Sequence, residues 1–149
     1  MTEIHFYHLT STPLERALPK LLEKAVQGEF RSVVLMESEE KVEWLNNILW
    51  TYDPNSFLPH GSAKDGNPEQ QPIYITASAG NPNKANLLII TDSSAVELST
   101  GFDRVIDIFD GSDVATTAKA RERWKKYKAE GHRLEYRQQT EDGRWTVPQ

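Results

Sequence analysis

The chain has no cysteine among its 149 residues, which excludes disulfides, thiolate catalysis and cysteine-ligated metals. No apolar run approaches the roughly 18 residues that a membrane-spanning helix needs. The opening MTEIHFYHLT carries neither the basic segment nor the apolar core of a secretion signal. These absences lead to the expectation of a cytoplasmic protein with no membrane partner. Histidine is sparse: His5, His8, His60 and His132 form no His-Glu-x-x-His or His-x₃-His pattern, and His5 and His8 point to opposite faces of one strand. No metal site is expected. A net charge of −5 argues against a general nucleic-acid binder, whose footprint is usually basic.

What is present reads as alternating strands and helices. Ile4–Leu9 is short, apolar and aromatic, hence a first strand. Ser11 or Thr12 is expected to cap a helix whose apolar stripe is Leu14, Ala17, Leu18, Leu21, Leu22, Ala25 and Val26, with Gly28 as its stop and Pro19 inside it. Arg31–Glu37 has the apolar density of a buried strand. Ser38 caps a second helix with Val42, Leu45, Ile48 and Leu49 on its inner face. Residues 50–72 are rich in Pro, Gly, Asn and Asp and read as a long connection. Ile73–Ala77, Asn86–Thr91 and Arg104–Phe109 are further strands. Asp113 caps a last helix that runs to Gly131, and His132–Gln138 is a final strand. This grammar predicts a single α/β domain over residues 1–149, a mostly parallel sheet with helices on both faces.

Such a sheet invites a nucleotide, but the first strand–helix turn is Leu9–Thr10–Ser11–Thr12–Pro13. Without glycine its backbone cannot approach a pyrophosphate, and no GxxxxGK[ST] occurs. No cofactor is expected. Asp107 and Asp110 sit near a strand end, where phosphotransferases of the haloacid-dehalogenase type place two carboxylates. Here they are three apart rather than two, which on an extended strand sends them to opposite faces. Turn and helix-capping carboxylates are the simpler reading, and no catalytic constellation emerges.

Two surfaces stand out instead. Lys119–Lys128 holds six cations and one acid, so this segment is +5 while the remainder of the chain is −10. Arg121, Trp124, Lys125 and Lys128 recur at helical spacing on one face. A one-signed stripe with an indole in it suits an acidic partner that offers an apolar side chain or a free carboxylate; a solvated helix that spends Trp124 on the core has the same sequence. The second surface is Leu49–Gly61, where Trp50, Tyr52, Phe57 and Leu58 crowd around the turn Asp53–Pro54–Asn55. So much aromatic area in a loop either anchors it or meets a partner.

The segments IHFYHLT, LERALPKLLEKA, LWTYDPNSFLPHG, FDRVIDIFDG and ARERWKKYKAEGHRLEY together resemble the chi subunit family of bacterial DNA polymerase III holoenzyme, over nearly the whole chain. The resemblance implies a nucleotide-binding-like fold without nucleotide chemistry, in a non-catalytic subunit of a DNA-directed DNA polymerase (a nucleotidyltransferase assembly) that acts in DNA replication. It implies binding of the acidic C-terminal tail of single-stranded-DNA-binding protein, which ends in phenylalanine, and, where one exists, of the psi subunit or another clamp-loader component. DNA is then met indirectly. Carried onto this sequence, the tail site is Arg121 for the terminal carboxylate, Trp124 for the ring, and Lys125 and Lys128 for the acids, with Val114 and Thr117 along the same groove. Trp124 replaces a tyrosine and Thr117 a lysine of better-known members. The psi-type interface is Trp50, Phe57, Leu58 and Pro59. The rival reading is direct binding of single-stranded DNA, with Trp124 and Tyr127 as stacking platforms.

Overall fold

A computed structural model describes residues 3–10, 12–51, 60–62, 68–77, 83–91, 102–139 and 145–146. The element order is β1 (Glu3–Leu9), α1 (Leu14–Gln27), β2 (Ser32–Leu35), α2 (Glu39–Thr51), β3 (Gly61–Ser62), a 3₁₀ turn (Pro68–Gln70), β4 (Ile73–Thr76), β5 (Leu87–Thr91), β6 (Arg104–Asp110), α3 (Val114–Ala129), β7 (Arg133–Gln139) and β8 (Trp145–Thr146). The strands form one sheet in the order β3-β4-β2-β5-β6-β1-β7-β8. All are parallel except β8, which runs antiparallel to β7.

The two-residue period of each strand divides the core into two layers. Leu9, Val34, Ile73, Ile75, Leu87, Ile89, Ile106 and Ile108 meet the apolar stripes of α1 and α2 on one face. Ile4, Phe6, Val33, Leu35, Leu88, Ile90, Val105 and Phe109 meet α3 on the other. The expected fold class, an α/β sheet covered on both faces, is therefore the observed one. Because both faces are covered, the central strands are near-continuous Val, Ile and Leu rather than alternating with polar residues.

Two local expectations are corrected. Thr12 does not cap α1; the residue before the helix is Pro13, with no side-chain cap. The Thr12 hydroxyl instead accepts from Gln139 Nε2 at 2.7 Å, and its amide donates to Gln139 Oε1 at 2.9 Å. Gly28 ends α1 as expected, and the left-handed residue is the one after it, Glu29, at φ 63°. The connection expected over 50–72 contains the edge strand β3 and the 3₁₀ turn, too short to carry a period. Phe102, ahead of β6, is buried in the layer under α3. The caps expected elsewhere are present: Lys41 N–H donates to Ser38 Oγ at 3.3 Å, and Ala115 N–H to Asp113 Oδ1 at 3.0 Å.

Candidate functional site

Two crevices among the described residues have linings that are opposite in character. β1 and β6 are neighbours, yet α1 leaves for one face and α3 for the other. That makes the C-terminal ends of these strands the switch point where open α/β sheets hold their ligands. The crevice there, about 520 Å³, is lined by Glu15, Glu37, Asp110 and Asp113, with Lys41 and Lys119 as its cations. Its four carboxylates outnumber its two lysines, a balance that disfavours a phosphate where this architecture otherwise binds nucleotides.

The second is a hollow of about 290 Å³ on the α3 face, lined by Phe109, Thr117, Ala120, Arg121, Trp124, Lys125 and Tyr136. Thr117, Arg121 and Lys125 are one helical ridge, at i, i+4 and i+8. Asp113, capping the helix, sets the register from which that ridge points; its carboxyl is held below the usual range by the Thr116 hydroxyl and by the Ala115 and Thr116 amides. The Thr117 hydroxyl is turned inward and donates to Asp113 O at 3.0 Å. Trp124 is half-buried, its ring edge-on to Phe6 with centroids 5.2 Å apart. It therefore packs on the core and walls the hollow at once. Arg121 is exposed and forms no ion pair among the described residues. Its charge reaches the hollow: it favours the neutral form of His8 and the ionised form of Tyr136, in each case after burial, which pushes the His8 imidazole down and the Tyr136 phenol up.

Of the sequence-derived tail-site residues, the structure brings Thr117, Arg121, Trp124 and Lys125 together around this hollow. Val114 and Lys128 stand on α3 beyond its two ends, Val114 with 85% of its surface exposed. Phe109, Ala120 and Tyr136 were not anticipated. Tyr136 was inside the quoted basic stretch, but only the parallel pairing of β7 with β1 swings it under the helix.

The rest of the basic run divides. Arg123 is not part of the exposed stripe: Nε and Nη2 grip Asp107 Oδ2 and Oδ1 at 2.6 and 2.9 Å. Asp107 is therefore not the turn carboxylate of the simpler reading; it is fully buried in mid-β6. Burial raises its pKa and the guanidinium opposes that rise. It is also not a poised nucleophile, since both oxygens are covered. Tyr127 is 1% exposed, its hydroxyl pushed up to about 12 by burial and by Asp107, so it offers no face to a nucleobase. His5 and His8 do point to opposite faces, as expected. β7 adds what spacing along β1 hides: Glu135 lies opposite His5, whose Nε2 stands 2.8 Å from Glu3 Oε1 and 3.3 Å from Glu135 Oε2. Arg104 and Arg137 hold the same two carboxylates at 3.8 and 3.1 Å, a mixed ion-pair cluster at the sheet surface.

Trp50, expected at a second interface, is 54% exposed and packs on the His60 ring at 4.7 Å. Phe57, Leu58 and Pro59 lie outside the described residues. No described helix is long and apolar enough to cross a membrane.

Gly111, between β6 and α3, is a close-approach position. A Cβ there lands on the His8 imidazole and 2.6 Å from the Leu9 carbonyl oxygen. Gly111→Ala is expected to destabilise the protein by about 1–3 kcal/mol, the scale of forced overpacking, measured by urea unfolding.

Fold and site thus define a doubly wound α/β protein that has lost the phosphate-binding turn and carries an open, cation-rimmed aromatic hollow on its α3 face. Comparison with known proteins places it further. Residues 1–135 match the family described as DNA polymerase III chi subunit, HolC. The chain is 38% identical over 117 residues to the probable DNA polymerase III subunit chi of Rickettsia prowazekii (strain Madrid E), covering 74% of this chain and 71% of that protein. It is 31% identical over 103 residues to the DNA polymerase III subunit chi of Haemophilus influenzae, covering 68% and 71%. It is 29% identical over 105 residues to that of Escherichia coli (strain K12), covering 70% and 71%. The chain belongs to the chi subunit family of DNA polymerase III, a family of DNA replication.

Proposed function

We propose that this chain is a non-catalytic adaptor of the polymerase III clamp loader that captures the acidic, phenylalanine-ended C-terminal tail of single-stranded-DNA-binding protein. One observation supports this above the others: an exposed guanidinium, Arg121, without an ion pair among the described residues, stands at the rim of an aromatic hollow. A guanidinium fork suits a terminal carboxylate. The volume, about 290 Å³, is at the small end for ligand pockets and fits one side chain rather than a nucleotide. Lys125 and Lys128 continue along the helix toward upstream acids. Trp50, exposed on α2, together with Phe57, Leu58 and Pro59 of the sequence that follows it, is the proposed contact for a psi-type subunit or another clamp-loader component.

Direct single-strand binding by α3 is the weaker reading, because Tyr127 is buried and Trp124 is edge-on between other rings. The test is calorimetric titration of the protein with an acidic tail peptide ending in phenylalanine. Binding is expected to weaken steadily as salt rises and to fall roughly tenfold or more when the peptide's carboxylate is amidated, the scale of one charge-assisted contact. Equal affinity for free acid and amide sinks the assignment.

A further inference from the structure

The hollow has a floor that the basic helix does not supply. Tyr136 comes from β7, one residue beyond the stretch that matches the family. Its ring stands at 90° to Trp124, with centroids 6.1 Å apart. Its hydroxyl is hydrogen-bonded to His8 Nδ1. His8 is itself held: its ring packs on Phe109 at 4.9 Å and lies against Gly111, where no Cβ could be accommodated. The Tyr136 ring is thus fixed by its strand at one end and by His8 at the other.

We infer that Tyr136, anchored by His8, is the residue that makes this hollow select an aromatic guest side chain over a branched aliphatic one. The inference rests on the docking reading above and deepens it. A ring entering between Thr117 and Lys125 meets Trp124 and Tyr136 at right angles to each other, so it can lie edge-to-face with one and stacked or offset on the other. Aromatic pairs in such arrangements gain affinity beyond the area they bury, about two- to tenfold. A leucine side chain buries comparable apolar area and gains none of that. The anchoring matters because a loose phenol would first have to be ordered, at a cost in side-chain entropy, before it could wall the site. Arg121 reads the carboxylate and Tyr136 reads the ring, so the two act on different parts of one ligand.

The experiment is a calorimetric comparison, on the full chain, of two acidic peptides that differ only in a terminal phenylalanine or leucine. The wild type is expected to prefer phenylalanine by about two- to tenfold. In Tyr136→Leu the ratio is expected to fall toward one, while the preference for free acid over amide persists. In Tyr136→Phe, which keeps the ring and severs it from His8, the ratio is expected to fall part of the way. A wild-type ratio in Tyr136→Leu overturns the specificity role even though the tail still binds. A wild-type ratio in Tyr136→Phe overturns the anchoring by His8. Absence of binding of either peptide to the wild type overturns the docking reading instead. A purely structural role for Tyr136 would weaken both peptides alike and leave the ratio unmoved.

Discussion

Arg121→Ala is expected to weaken binding of the acidic tail peptide by roughly ten- to hundredfold, the range of a lost charge-assisted hydrogen bond between ionised groups. Stability should stay within about 0.5 kcal/mol of wild type, as for exposed residues away from structural features. Arg121 is exposed and pairs with no acid among the described residues, so its removal leaves nothing buried and unmatched. The salt dependence of binding should flatten in the same variant, because a charge that steers and holds the ligand has gone. Calorimetry at two ionic strengths checks both effects. Undiminished affinity would mean that the hollow is not where the tail sits.

Two residues along, the same substitution should do the reverse. Arg123→Ala strands the Asp107 carboxylate, fully buried in the sheet and otherwise gripped by two hydrogen bonds at 2.6 and 2.9 Å. Breaking a buried pair from one side costs about 3–5 kcal/mol. That is a large part of the 5–15 kcal/mol a domain this size holds, so the variant should melt many degrees lower. The pH dependence has a definite sign. Burial holds the Asp107 pKa above its ordinary value of 3.8 in the folded protein, so the folded state keeps its proton longer than the unfolded one. Stability from this group is greatest in acid and falls as pH rises through the window above 3.8. Without Arg123 that window widens upward, and the destabilisation should be smaller near pH 4 than at pH 7. Urea titrations at both values measure it. A double variant, Asp107→Leu with Arg123→Met, should recover most of the loss, since an apolar pair of similar volume tolerates the site.

The contrast between these arginines shows where the sequence was informative. Spacing along α3 put Arg121, Trp124, Lys125 and Lys128 on one face, of which the first three line the hollow, because helical periodicity is local. Spacing could not show that Arg123, counted among the six cations of the run, is neutralised by a residue sixteen positions earlier on β6. The fold class was legible from alternating apolar runs, and the Ser38 and Asp113 caps from a single residue each. Thr12 looked like a cap and is instead tied to Gln139, an attachment across the sheet that no local pattern encodes. Tyr136 was missed as part of the hollow for the same reason: its position depends on β7 running parallel to β1. Asp107, read as a turn carboxylate in preference to half of a catalytic pair, proved to be a buried counter-ion.

The place of β1 in the sheet carries a consequence for how the protein comes into being. β1 lies between β6 and β7, and its register partners on both are more than a hundred residues further along the chain. Ile4 and Phe6 therefore wait, uncovered, until β6, α3 and β7 have been translated. Such distant pairings slow folding and lengthen the interval during which sticky segments are bare. Nascent chains halted before β7 should engage chaperones through β1, and the polypeptide should acquire protease resistance abruptly, once β7 has emerged, rather than in stages.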